Sequence, residues 1–165
     1  MMEKHTAEKA ECCPRFDPAP WNEKELTWKD KLFVMDRVPQ FMHIPLPGAF
    51  GKTVGRTWKK IEGARAKPET KDFLMLAFDP SPWKSELYFS VTKEVPDAEN
   101  VKLSGTFLTK VFEGPYNAVP KWIKAMDQYV AGKGLKVKKY YFYYTTCPKC
   151  AKTYGKNYVV VFAEV

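Results

Sequence analysis

The chain has 165 residues, 45% of them hydrophobic and 15% aromatic, and a formal net charge of +8. This composition excludes a disordered chain and suffices for one core within a single domain or two small halves. No apolar run approaches the ~18 residues of a membrane-spanning helix, and the charged first residues contain no secretory signal. We therefore expect a cytoplasmic protein with reduced cysteines, no membrane partner and no cofactor.

The N-terminal segment, residues 1–37, is expected to be an arm that packs on the rest of the chain. Its prolines predict irregular structure, and Trp21, Trp28 and Phe33 predict burial against a larger body. The same side chains are compatible with closing one end of a binding cleft, and the sequence leaves both roles open.

Two stretches of the remaining sequence share one frame. "FMHIPLPGAF" and "FLTKVFEGPY" begin at Phe41 and Phe107, and each has a glycine seven positions later and a second aromatic two positions beyond that. Each frame predicts a strand that runs into a glycine turn. Self-similarity of this kind divides residues 38–165 into two repeats, 38–96 and 101–165.

A helical pattern follows each frame. In the first copy, Val54, Trp58 and Ile61 recur at i, i+4 and i+7, and in the second a wider apolar stripe runs from Val119 to Val130. Two strand-like runs follow each helix: "DFLMLAF" and "SELYFSV", then "KKYYFYYTT" and "NYVVVFAEV". The sequence therefore predicts an α+β fold of two pseudo-symmetric β-α-β-β repeats, with an antiparallel sheet, helices on one face and a ligand cleft on the other.

Strand alternation assigns side chains to the two faces of this sheet. Leu87, Phe89 and Val91 are expected on the helix side. The opposite face and the loop ends supply the candidate ligand-binding residues, which are Glu86, Tyr88, Tyr158, Phe162 and Glu164 on strands and Phe50, Trp83 and Tyr116 in loops. A solvent-facing antiparallel sheet alternates in the same way, so the high aromatic content is what favours a cleft.

An aromatic cleft that contains a carboxylate has a definite chemical use. Flat rings stack on planar ligands and attract cations, and a carboxylate supplies the counter-charge. Such a site predicts binding of lipophilic, aromatic and cationic small molecules. A carboxylate in that setting is also able to activate water, so Glu86 and Glu164 are the candidate catalytic residues if the protein is an enzyme.

The same stretches resemble the GyrI-like (gyrase-inhibitor-like) small-molecule-binding domain family. The resemblance is carried by "SELYFSV", by "FLTKVFEGPY" and by the doubled strand–helix–strand–strand unit, from about Val38 to Val165. The run from "PWKSELYFSV" to "YGKNYVV" is similar to a stand-alone branch of the family. The resemblance implies a central cleft and a multidrug-binding or sequestering role in drug resistance, or alternatively hydrolysis of reactive cyclopropane-containing compounds.

The resemblance also implies which acid matters. A glutamate on a sheet strand recurs in the pockets of this family, and Glu86 is the matching position in "SELYFSV". Regulators of the family usually keep the acid in the last strand, where this sequence has Val160, so Glu164 stays a second candidate. The sequence contains no helix-turn-helix extension, and direct DNA binding is not expected.

The four cysteines allow a weaker alternative. Cys147 and Cys150 are spaced as metal ligands, but Cys12 and Cys13 are adjacent, which makes joint tetrahedral coordination of one zinc ion strained. Reduced thiols in a hairpin turn are therefore favoured over a metal site.

A third functional class, a nucleic-acid-binding accessory protein, follows from "GKGLKVKKYYFYY". That segment mixes lysines with aromatic residues, as binders of single-stranded nucleic acid do. The lysines also suit the end of a helix, which is the simpler interpretation. His43 has no partner at motif spacing and is expected to be a packed or surface residue.

Overall fold

The structure, a computed structural model, describes residues 16–69, 72–115, 118–145 and 157–165. These residues form an α+β fold, mostly antiparallel sheet, with the strands β1 (Lys24–Phe41), β2 (Ile44–Pro45), β3 (Met75–Ser81), β4 (Lys84–Ser90), β5 (Glu99–Glu113), β6 (Lys139–Tyr144) and β7 (Tyr158–Glu164), and the helices α1 (Ala49–Gly63) and α2 (Val119–Gly132). Within the described ranges, no helix is long and apolar enough to cross a membrane.

The described residues divide into two compact units. Residues 27–106 form the amino-terminal unit, and residues 16–26 with residues from 107 onward form the carboxy-terminal unit. The long strands β1 and β5 each contribute residues to both units.

In the amino-terminal unit, β4 lies between β1 and β3 and pairs antiparallel with both. Helix α1 packs on one face of these strands. The core on that face contains Val34, Val38, Ala49, Ile61, Ala66, Leu87, Phe89, Val91 and Val95. Because Leu87, Phe89 and Val91 belong to this core, the alternation predicted for β4 is what the structure shows.

Strand β1 begins inside the segment that the sequence predicted to be an irregular arm. The prolines of the arm precede the strand. Pro39, beyond the arm, lies near the end of the strand opposite Lys84. Asp30 interrupts the strand with a φ of 52°, and its backbone N–H donates to Ser104 Oγ at 2.8 Å. The residues beyond this irregularity pair regularly with β4, so the arm's second half is part of the sheet.

The glycine of each repeated frame stands just before a helix. Gly48 has a φ of 75° and is the N-cap of α1, and Gly114 has a φ of 142° ahead of α2. Both values lie in the left-handed half of backbone space, which a glycine adopts without the steric cost that other residues meet. The strands of the two frames differ, however: the first frame begins where β1 ends and contains only the two-residue strand β2, whereas the second begins within β5.

Asp36 on β1 ties the strand to α1. Its carboxylate accepts hydrogen bonds from Arg56 Nε at 2.8 Å and from Arg56 Nη2 at 2.9 Å. Thr57 Oγ1 donates to the same carboxylate at 2.8 Å. Burial by itself raises the pKa of Asp36, but these hydrogen bonds outweigh it and lower the pKa from 3.8 to about 2.

We expect Asp36→Asn to lower the free energy of unfolding by about 1–2 kcal/mol at neutral pH, discounted because Arg56 is largely exposed. A lowered folded-state pKa means that the contribution of Asp36 is complete above about pH 4 and disappears as the pH falls toward 2. Urea unfolding of the wild type and the variant at neutral and acidic pH measures this. Glu62→Gln, which changes an exposed acid, is the control. A difference in unfolding free energy between wild type and Asp36→Asn that does not narrow at acidic pH would contradict this role of Asp36.

In the carboxy-terminal unit, β7 lies between β5 and β6 and pairs antiparallel with both. Helix α2 buries Trp122, Met126 and Val130, four residues apart on one side. The Trp122 ring stacks on Phe112 of β5 with centroids 5.8 Å apart. The apolar stripe predicted for this helix therefore packs against the sheet of its own unit.

Candidate functional site

Glu86 and Tyr88 lie on the face of the amino-terminal sheet that points away from α1. Their neighbours on β4, Leu87 and Phe89, belong to the core beneath α1, so the alternate positions point the other way. Across the strands, Glu86 is paired with Arg37 of β1 and Phe78 of β3. A carboxylate is thus placed between a cation and an aromatic ring.

Tyr88 holds the Glu86 carboxylate directly. The Tyr88 hydroxyl donates to Glu86 Oε2 at 2.6 Å, a short distance that is typical of a hydrogen bond to a charged acceptor. Tyr88 is only 6% exposed, whereas Glu86 is half-buried. The carboxylate therefore has a fixed orientation and remains accessible.

Arg37 completes the charged part of this face. Its Nη1 lies 3.0 Å from Glu99 Oε2. The hydrogen bond to Glu99 is the main cause of a raised Arg37 pKa, and the negative charge of Glu86 adds to it. Because the Arg37–Glu99 pair is neutral as a unit, Glu86 contributes the net negative charge here.

A row of aromatic rings extends from Tyr88. Phe33 meets Tyr88 edge to face with centroids 6.3 Å apart, and Trp28 lies 5.7 Å from Phe33. The Lys31 ammonium lies over both of these rings, 5.6 Å from Trp28 and 5.9 Å from Phe33. We call Trp28, Lys31, Phe33, Glu86 and Tyr88 the carboxylate–aromatic row.

This row has the chemistry that the sequence predicted, but it uses different aromatic residues. A cation already occupies the ring faces, which shows that the rings accept a positive charge at cation–π distance. Sequence reasoning assigned Trp28 and Phe33 to the arm and did not consider Lys31 or Arg37. The only available signal was the aromatic spacing within β1, which gives no register against β4.

Trp83 and Phe50, predicted as loop-end walls of a cleft, are both exposed, by 59% and 41%. The Trp83 ring packs on Phe41 with centroids 5.7 Å apart. His43, expected to lack a partner, binds Asp79 through Nδ1 at 2.7 Å. Trp83 and His43 lie in turns at one end of the amino-terminal unit. Phe50, predicted in a loop, instead lies in the first turn of α1.

Tyr158 and Phe162, predicted as stacking walls on β7, are covered by the N-terminal segment of the carboxy-terminal unit. The Trp21 ring lies 5.7 Å from Phe162 and 5.8 Å from Tyr143. Phe16 lies 5.6 Å from Tyr158. Phe162 is fully buried, so a ligand reaches its ring only if Trp21 moves.

Backbone contacts fix this covering segment. Thr109 Oγ1 donates to the Trp21 carbonyl at 2.6 Å, and the Val111 N–H donates to Asn22 Oδ1 at 3.3 Å. Residues 16–22 therefore pack on β5 and β7 of the carboxy-terminal unit.

Glu164, the second candidate acid, lies at the end of β7. It is paired across the strands with Phe107 and Lys139 and is half-buried. Tyr116 and the four cysteines, Cys12, Cys13, Cys147 and Cys150, lie outside the described residues. In the ranges that are described, no group of three or more His, Cys, Asp or Glu side chains is placed to hold a metal ion.

Structural comparison shows the fold class. The C-terminal domain of EcmrR has a TM-score of 0.65 at 12% identity, over 87% of this chain and 96% of that one. A hydrolase encoded by lin2189 from Listeria innocua has a TM-score of 0.58 at 9% identity, over 87% and 92%. An uncharacterized conserved protein from Listeria innocua has a TM-score of 0.61 at 10% identity, over 85% and 90%. This chain therefore shares its fold with these three structures.

Sequence comparison gives the family. The family model described as "Bacterial hydrolase" matches residues 3–165, which is nearly the whole chain. This protein belongs to that bacterial hydrolase family. No curated protein sequence matches it.

Proposed function

We propose that the protein binds lipophilic, aromatic and cationic small molecules on the carboxylate–aromatic row. The observation that carries the proposal is the Glu86 carboxylate, held by Tyr88 at 2.6 Å at one end of a series of ring contacts. Phe33 and Tyr88 are buried, so a planar cation placed there stacks on the half-buried Trp28 ring and is attracted by the fixed charge of Glu86. The resemblance of "SELYFSV" and "FLTKVFEGPY" to the GyrI-like small-molecule-binding domain family supports the proposal.

The overall charge of +8 does not oppose a cationic ligand at this position. Surface charges further away than about 10 Å are screened at ordinary salt. The nearest cation to Glu86 across the strands is Arg37, and Glu99 neutralises it at 3.0 Å. Within the row itself, Glu86 supplies the negative charge and Lys31, at the far end, the positive one.

The direct test is a titration of the protein into rhodamine 6G, a planar lipophilic cation, followed by fluorescence anisotropy. We expect Glu86→Gln to weaken binding at least tenfold, which corresponds to about 1.4 kcal/mol. Glutamine keeps the shape and an acceptor for the Tyr88 hydroxyl, so the change removes charge alone. Glu164→Gln is the matched control on the second candidate acid. Binding that neither substitution weakens would exclude a carboxylate counter-charge.

Lys31→Met is expected to strengthen binding of the same cation about two- to fivefold. The Lys31 ammonium competes for the ring faces of Trp28 and Phe33, and a cation–π contact at a partly exposed site contributes about 0.5–1 kcal/mol. Lys31→Arg keeps the competing charge and should change little. A neutral dye of similar size is the second control, because its affinity should not respond to the lost charge.

A second candidate function, hydrolysis of electrophilic cyclopropanes, is favoured by the family to which the chain belongs and by the Tyr88–Glu86 hydrogen bond. In this pair, the Glu86 carboxylate is able to accept a proton and the Tyr88 hydroxyl is able to donate one. In the proposed step, Glu86 takes a proton from water as the water oxygen bonds to a ring carbon. The strained carbon–carbon bond breaks, and its electron pair passes into a conjugated carbonyl group of the substrate. Tyr88 protonates the resulting oxyanion.

A further inference from the structure

An exposed apolar patch lies at one end of the amino-terminal unit. Among the described residues, seven large hydrophobic side chains are at least 41% exposed, and six of them belong to this end. They are Phe41, Met42, Ile44, Leu46, Phe50 and Trp83, which we call the tip patch. An aromatic side chain has a surface area of about 150–250 Å². The tip patch therefore exposes several hundred Å² of apolar surface, a size at which exposed patches are often functional.

A strained turn presents part of the patch. Met42 and His43 connect β1 to β2, and their φ values are 50° and 67°. A two-residue hairpin with φ above zero at both central residues is a type I′ turn, which residues other than glycine adopt at a steric cost. The turn places the Met42 side chain in solvent, where it is 58% exposed.

Hydrogen bonds hold the patch in a fixed form. The His43 ring binds Asp79 at 2.7 Å, and the Gln40 amide donates to the same carboxylate at 2.6 Å. The Gln40 N–H also donates to the Trp83 carbonyl at 2.8 Å. The β1–β2 turn and the β3–β4 turn are thus joined, and their apolar side chains are exposed together.

We propose that the tip patch docks on an anionic phospholipid surface. Exposed tryptophan and phenylalanine suit the boundary between headgroups and acyl chains, where tryptophan has an apolar body and a polar N–H. The exposed Lys84 is next to Trp83, and the exposed Lys52 lies on α1 near Phe50 in sequence but on another side of the helix. The chain as a whole carries +8, which attracts it to acidic lipids.

Charge also argues against a second copy as the occupant. Two copies meeting through this patch would bring Lys52 and Lys84 of both together, and each copy has a net charge of the same sign. An anionic bilayer has the opposite charge to the protein, so it attracts the protein instead of repelling it. The proposal does not rest on ligand binding at Glu86, because it uses none of the residues of the carboxylate–aromatic row.

The test is flotation of the full chain with phosphatidylcholine vesicles, with and without phosphatidylglycerol. We expect binding that requires phosphatidylglycerol, falls with added salt and drops at least tenfold in the double variant Ile44→Ser, Trp83→Ser. Leu135→Ser is the matched control. Leu135 is the remaining one of the seven exposed large hydrophobic side chains, is 42% exposed and lies outside the patch. All three positions are exposed, and circular dichroism verifies that each variant is folded.

Three results would overturn the proposal. The first is absence of flotation with acidic vesicles, and the second is flotation that the double variant leaves unchanged. The third is a dimer in sedimentation equilibrium that the double variant dissociates, which would assign the patch to a second copy.

Discussion

Glu86→Gln is expected to lower the rate at which the protein opens an electrophilic cyclopropane by at least a hundredfold. Removal of a general base typically reduces a rate 10²–10⁴-fold. Glutamine cannot accept a proton from water, although its carbonyl still accepts the Tyr88 hydrogen bond seen at 2.6 Å. The effect should therefore appear in kcat with little change in the folded structure.

A spirocyclopropyl cyclohexadienone is a suitable substrate, because water opens it to a hydroxyethyl phenol and the dienone absorbance disappears. Tyr88→Phe removes the proton donor and should slow the same reaction. Glu164→Gln should leave the rate unchanged if Glu86 is the base. A wild-type rate no faster than buffer would exclude this activity, and equal rates in wild type and Glu86→Gln would exclude Glu86 as its base.

The second large effect is on stability. We expect Trp21→Ala to lower the free energy of unfolding by about 2–3 kcal/mol, somewhat less than a fully buried tryptophan contributes, because Trp21 is half-buried. The substitution removes the ring contacts to Phe162 and Tyr143 and opens Phe162, which is otherwise fully buried.

Urea unfolding measures this loss, and near-ultraviolet circular dichroism reports on the rings around Phe162. Trp83→Ala is the matched control, because Trp83 is 59% exposed and surface substitutions usually change stability by less than about 0.5 kcal/mol. A loss for Trp21→Ala no larger than that of Trp83→Ala would show that the segment lies loosely on β7.

Local patterns predicted the parts of this fold that depend on near neighbours. The spacing of Val54, Trp58 and Ile61 indicated helix α1, and the alternation of Leu87 and Phe89 indicated which face of β4 lies beneath it. Both follow from geometry within a few residues. The two helices and the strands that follow them were predicted for this reason.

The composition of the candidate site depends on long-range pairing, which the sequence does not specify. Arg37 meets Glu86 because β1 pairs with β4 in one register, and a shift of one residue would move every side chain to the other face. Lys31 reaches the rings of Trp28 and Phe33 on a strand that Asp30 interrupts. No local pattern encodes either arrangement.

The ribosome synthesises the chain from the N-terminal side, so Trp21 is made before the residues it packs against. The partner of its carbonyl, Thr109, is 88 residues further along the chain, which takes on the order of ten seconds to synthesise. Phe162, whose ring Trp21 covers, emerges later still. Phe16 and Trp21 are therefore made well before the residues they pack against. During that interval they are exposed on a nascent chain, where chaperones that recognise aromatic segments have time to bind them.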